Sequence, residues 1–247
     1  MNKFLEKLRL IFADTVLRRR ILFALGLLVI TRILAIIPLP GIDAARLQSL
    51  LGGSEFLNLL NLFSGGGLSN LSIVMLGVGP YITASIIMQL MTVMSPKLKE
   101  MYQEEGEAGR RRFAQYSRLI TVPLAIIQAY AFIKLLQGQN VLAALPLGEL
   151  LVDVTIIVAG SMLLMWLGEL ITEFGVGNGV SLIIFAGIVA GLPATLSQLL
   201  FTYDPSQLPI YIAGLAVALL VTLGVVIVTE AERPIPVTYA KTVRGGR

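Results

Sequence analysis

Six long apolar runs, separated by charged or glycine-rich stretches, dominate the chain. They extend from Ile21 to Ile37, Leu71 to Met94, Ser117 to Leu136, Leu150 to Ile171, Val180 to Leu200 and Leu208 to Val228. A hydrocarbon core about 30 Å thick takes roughly 20 apolar residues of helix. Each run therefore predicts a transmembrane helix, the first being short and interrupted by Arg32. Residues 1–20 pattern differently. Phe4, Leu5, Leu8, Ile11, Phe12 and Val16 recur near helical spacing with charges between them. That predicts an amphipathic helix at the membrane surface or a helical lead-in to the first span.

The stretch between the first two runs is irregular. Pro38-Leu39-Pro40-Gly41-Ile42-Asp43 predicts a turn, because proline fixes its own φ and pushes its predecessor away from helix. Phe56-Leu57-Asn58-Leu59-Leu60-Asn61-Leu62-Phe63 follows, apolar enough for lipid but too short to cross it, and Ser64-Gly65-Gly66-Gly67 breaks it before Leu68-Ser69-Asn70. A short apolar helix, a glycine hinge and a long helix predict a re-entrant element over residues 57–70. Non-helical backbone at membrane depth is tolerated only where protein buries it or water lines it, so the pattern implies an internal cavity open to the outer side. A plain loop with a helix lying on the membrane is the alternative.

The second run begins with Gly77-Val78-Gly79-Pro80, which removes a backbone hydrogen bond and loosens a turn. Tyr81, Thr83, Ser85 and Gln89 then bring polar atoms to a helix of Ile, Met and Leu. Thr83 and Ser85 can bond back to the preceding turn. Gln89 is costlier in lipid and predicts a face toward other helices or a wet path.

Composition agrees with a membrane protein. Of 247 residues 56% are apolar and 14% charged, against about a quarter charged in a soluble domain. The net charge of +4 is too small to indicate a nucleic-acid partner. Cys and His are both absent. That removes disulfides, thiolate nucleophiles, the Ser-His-Asp triad and metal or haem sites built on imidazole or thiolate. Neither an enzyme nor a cofactor is expected.

The basic residues set the orientation. Sixteen of the 19 fall before the first run, between or beside the second and third, or after the sixth, which are all one side of the membrane. Arg46 and Lys134 fall on the other side, and Arg32 lies within a run. Both ends are therefore expected in the cytosol. The first run is longer than the core of a signal peptide, and Pro38-Leu39-Pro40-Gly41 stands where a small-residue cleavage site belongs, so no cleavable leader is expected.

Other charges have plainer readings. Arg32 lies close enough to Pro38 to snorkel to the outer interface, and Asp153 sits near the outer end of the fourth run, where a carboxylate is expected to stay wet. Glu169 and Glu173 share a helix face at i, i+4; with no second catalytic element converging on them, they read as a solvated helix end before Gly175-Val176-Gly177-Asn178-Gly179. Glu104 to Arg112 forms a charged turn without the Gly-Lys-Ser/Thr of a phosphate loop.

Several stretches together resemble the N-terminal portion of the SecY family of protein-conducting channels. They are Ile37-Pro38-Leu39-Pro40-Gly41-Ile42-Asp43-Ala44-Ala45, Phe63-Ser64-Gly65-Gly66-Gly67-Leu68-Ser69 and Gly79-Pro80-Tyr81-Ile82-Thr83-Ala84-Ser85-Ile86-Ile87-Met88-Gln89-Leu90. Glu105-Gly106-Glu107-Ala108-Gly109-Arg110-Arg111, Gln115-Tyr116 and Met165-Trp166-Leu167-Gly168-Glu169 follow. The series ends with Gly177-Asn178-Gly179-Val180-Ser181, Ile184-Phe185-Ala186-Gly187-Ile188-Val189-Ala190-Gly191-Leu192-Pro193 and Tyr239-Ala240-Lys241. Singly these are weak; in this order and spacing, over nearly the whole chain, they are specific.

The resemblance implies an all-α polytopic membrane protein in the bacterial inner membrane, an inverted-repeat channel with a plug and a side gate into lipid. Its parts are a cytosolic segment (1–20), a first five-helix half (21–200) with the plug within 57–70, a sixth span (201–228) and a basic cytosolic loop (229–247). The plug maps onto Leu59, Leu60, Asn61, Leu62, Phe63, Ser64, Gly65, Gly66, Gly67 and Leu68. Val78, Ile82 and Ile184 match the aliphatic pore ring, and Ile86 and Gln89 match positions beside the lateral gate. Arg110, Arg111, Arg233, Lys241, Arg244 and Arg247 match surfaces that dock a ribosome or the SecA ATPase. The implied partners are SecE, SecG, chains bearing signal sequences, lipid, and the C-terminal half of the channel. Family members have ten spans and this sequence has six runs. The missing spans would supply the other gate wall and half the ring, so six alone are not expected to close a pore.

The expected function is a passive conduit for unfolded polypeptide that also releases hydrophobic segments sideways into lipid. A secondary transporter of a small solute is the alternative, since broken helices suit one; it requires a charged or richly polar midplane site, for which Arg32 is the single candidate. An intramembrane hydrolase lacks a histidine for a Ser-His dyad and a second aspartate to pair with Asp153.

Overall fold

The structure, a computed structural model, describes residues 14–39, 61, 64, 67–68, 70–139, 141–143, 145–201 and 208–231. The described residues form seven α-helices: α1 Thr15–Leu34, α2 Gly79–Met94, α3 Pro96–Gln103, α4 Gly106–Gly138, α5 Leu147–Phe174, α6 Gly179–Phe201 and α7 Leu208–Glu230. They contain no strand, as an all-α reading requires. The chain divides into two compact units, 1–194 and 195–247. Three helices, α4, α5 and α7, are long and apolar enough to cross a membrane; α2 and the Gly179–Pro193 part of α6 are shorter and apolar.

In the first unit α1 starts at Asp14, whose carboxylate accepts from the amides of Val16 (2.8 Å) and Leu17 (3.4 Å). This satisfies two of the four donors that a helix start leaves open. The helix packs on α5, burying Ala24, Leu27 and Thr31. At 33 residues α4 is about 50 Å long at 1.5 Å rise per residue, well beyond the apolar run from Ser117 to Leu136. Its extra turns pack back on α3, with the rings of Tyr102 and Phe113 4.8 Å apart.

The second apolar run departs from expectation. A helix over Leu71 to Met94 was predicted, but the helix begins at Gly79, and residues 71–78 run as consecutive turns. Pro80 lies in the first turn of α2, where its missing N–H would be unpaired in any case. It thus starts a helix rather than kinking one. Gly77 ahead of it has φ +58°, a left-handed conformation that glycine adopts without a Cβ penalty.

These turns are nonetheless the hub of the unit. Leu71 and Met75 pack with Leu39, with Ala129, Ile133 and Leu136 of α4, and with Val154 and Ile157 of α5. Val74 and Val78 pack into a second cluster with Ala24 and Leu27 of α1, Leu164, Leu167 and Ile171 of α5, and Ile183 of α6. Backbone buried this way needs partners. Leu39 N–H donates to the Leu71 carbonyl (2.9 Å), Ile73 N–H to the Ile37 carbonyl (3.0 Å), and Pro38 and Ser72 form an antiparallel bridge. Asn70 Nδ2 adds a bond to the Ala35 carbonyl (3.3 Å). Gly160 of α5 packs directly on the Ile73 carbonyl, where a Cβ would collide.

Asp153 also departs from expectation. It is 5% exposed, not wet, and lines a void of about 10 Å³ with Leu39, Leu71, Met75, Ile133, Leu136 and Leu142. The segment 71–75 and the end of α4 cover it.

A vestibule bordered by four helices

At the end of the first unit where α2 gives way to α3, and α5 turns into α6, four helices border a cavity of about 600 Å³. Tyr81, Ile82, Ser85, Ile86 and Gln89 line it from α2, an i, i+4 face. Ala114 and Arg118 contribute from α4, and Glu169, Thr172 and Glu173 from α5. Asn178, Val180, Ser181 and Ile184 complete the lining at the start of α6.

Arg118 Nε donates to Glu169 Oε1 at 2.5 Å, tying α4 to α5 along the wall. The arginine side chain is 45% exposed and the glutamate 20%. The turn from α5 to α6 is held by side chains. Thr172 Oγ1 donates to the Gly168 carbonyl (2.9 Å) and accepts from Gly179 N–H (2.8 Å). Asn178 Oδ1 accepts from Ser181 N–H (3.1 Å), capping α6. On α2, Thr83 Oγ1 bonds back to the Gly79 carbonyl (3.0 Å), leaving Tyr81, Ser85 and Gln89 as the polar groups that line the cavity from this helix.

Of the ring candidates, Ile82 and Ile184 border this one cavity, while Val78 is 1% exposed within the core. Ile86 and Gln89 line the cavity beside Ile82. Among the plug candidates, Ser64 Oγ donates to the Asn61 carbonyl (3.0 Å) and accepts from Leu68 N–H (3.2 Å), and Gly67 and Leu68 are buried. Leu59, Leu60, Leu62, Phe63, Gly65 and Gly66 lie outside the described residues. Arg110 and Arg111 are exposed on the first turns of α4, Arg111 pairing with Glu107 at 2.8 Å. Arg233, Lys241, Arg244 and Arg247 lie outside the described residues.

The Arg118–Glu169 pair escapes a reading of the sequence. Fifty-one positions separate the two, and no local spacing rule links them. The only available signal is that each is a charge near the same end of an apolar run.

Comparison with known proteins agrees with this architecture. The SecY family model matches residues 72–247. The chain is 41% identical to the protein translocase subunit SecY of Mycobacterium leprae, covering all of this chain and 57% of that protein. It is 44% identical to the subunit of Escherichia coli K12 (94% and 54% covered) and 46% identical to that of Pseudomonas aeruginosa (92% and 52%). The chain thus spans about half the length of the curated relatives it matches. Its fold is similar to Sec61 in the canine ribosome-channel complex from the endoplasmic reticulum, with a TM-score of 0.59 at 23% identity over 88% of this chain and 49% of that one. It is also similar to a solved protein-conducting channel, with a TM-score of 0.57 at 23% identity over 84% and 46%. The order of motifs, the matched family model and the shared fold place this chain in the SecY family.

Proposed function

We propose that this chain supplies one wall of a channel that conducts unfolded polypeptide across the bacterial inner membrane and releases hydrophobic segments sideways into lipid. One observation carries the reading: Ile82 and Ile184, from separate helices, border one cavity whose remaining lining is half neutral polar groups, with aliphatic and charged side chains making up the rest. An aliphatic constriction seals against ions by excluding water and still deforms around a passing chain. In this reading the six apolar runs are six spans with both ends cytosolic, and residues 57–70 form the plug. The vestibule is the cytosolic mouth, and Val78 supports the ring from behind. Ile86 and Gln89 stand at the lateral gate, where the C-terminal half of the channel completes the wall. Arg110, Arg111 and the basic residues after Glu230 contact a ribosome or SecA, and SecE and SecG complete the assembly. The named relatives are translocase subunits, which supports transport without catalysis.

Cross-linking tests this reading. A photoreactive probe at Ile82 in the complete channel is expected to capture a stalled chain bearing a signal sequence, and only while translocation is engaged. Saturable uptake of a small solute, with no adduct to the chain, would instead establish the transporter alternative.

A further inference from the structure

The vestibule contains a charge arrangement that the conduit reading does not by itself require. Among the described residues lining it, Arg118 is the one cation, and Glu169 and Glu173 are the carboxylates. Glu169 is the less solvated partner of the pair, and Arg118 holds it at 2.5 Å. The other polar lining groups, Tyr81, Ser85, Gln89, Thr172, Asn178 and Ser181, are neutral.

Resting on the conduit reading above, we propose that Arg118 is a specificity-determining residue: by neutralising Glu169 it sets how the vestibule discriminates acidic from basic segments of the moving chain. A concave wall with apolar flanks concentrates the field of any uncompensated charge. An anionic vestibule would hold basic segments and repel acidic ones, whereas a passage for chains of every composition works best when its walls discriminate little. With Arg118 present the described lining carries one net negative charge; without it, two.

A purely mechanical role for the pair is the competing account. It is weakened by the apolar contact that α4 and α5 already share through Ala129, Ile133, Val154 and Ile157. An ion pair as exposed as Arg118 also adds little to stability.

The test uses the complete channel with its partner subunits in proteoliposomes. It compares transport of one preprotein carrying an oligolysine, an oligoglutamate or an oligoserine insert. Arg118→Gln is expected to raise the oligolysine-to-oligoglutamate ratio about threefold, the scale of one unit charge acting across a solvated space. Glu169→Gln is expected to lower that ratio, the double variant to return it toward the unsubstituted value, and Arg118→Lys to preserve it. Normalising to the oligoserine chain removes any general loss of assembly. Should Arg118→Gln fail to assemble, Glu169→Gln carries the test alone. Ratios that stay put, or that move the same way in both single variants, overturn the proposal while leaving the conduit intact. Failure of the unsubstituted channel to move the oligoserine chain overturns the conduit and the proposal together.

Discussion

Gly160 on α5 sits so close to the carbonyl of Ile73 that the space for a β-carbon is already taken. The contact presses the middle of α5 against the buried turns that precede α2, and a main-chain atom cannot swing aside as a flexible side chain would. The turns in turn hold Val74 and Val78 in the core behind Ile82. The position of α2, and so one wall of the vestibule, depends on the absence of a side chain at residue 160.

Gly160→Val is accordingly expected to destabilise the protein by about 3 kcal/mol, the upper range for overpacking a filled interior. Thermal unfolding of the purified channel in detergent measures this. Gly148→Val serves as the control, since a β-carbon there meets nothing within 4 Å.

Replacing both ring candidates, Ile82→Gly with Ile184→Gly, is expected to increase ion leak through the complete channel in planar bilayers, because removing two bulky aliphatic groups lets water fill the constriction. Conductance equal to that of the unsubstituted channel would remove these two residues from the seal.

Asp153 gives a prediction of opposite sign. Its side chain is 5% exposed beside aliphatic groups and lies one helical turn after the like-charged Glu149. Withdrawing a charge from water and placing it a turn from a like charge both cost stability, so Asp153→Leu is expected to raise stability by about 1 kcal/mol. A lowered melting temperature in detergent would show that the carboxylate has a necessary partner.

How far the sequence could be read is clearest at particular residues. Six apolar runs located six of the seven described helices, because a stretch of some 20 apolar residues has few other uses; the short, polar α3 carries no such signal and was missed. The start of α2 was missed because hydropathy reports burial, not conformation: Leu71, Val74, Met75 and Val78 are as apolar as any span and as buried, yet they lie in turns. Pro80 and Gly77 marked the true boundary, although a proline in an apolar run reads equally well as a kink. The start of α4, read as a charged turn over Glu104 to Arg112, was missed for the converse reason, since Arg110 to Arg112 belong to its exposed first turns. Asp153 was expected to be wet because its distance from a run's end was visible and the chain folded over it was not. Ile82 and Ile184 came from family resemblance alone. Aliphatic residues in a membrane helix carry no mark that separates a cavity wall from a lipid face.

The paired backbone of residues 37–39 and 71–73 has a consequence for everything strung between them. The main chain leaving α1 and the main chain returning toward α2 are laced together there, so the first two helices share one anchor. A change of length or composition between positions 39 and 71 therefore meets a fixed exit and a fixed entry, and the two helices keep their mutual register as long as that lacing holds.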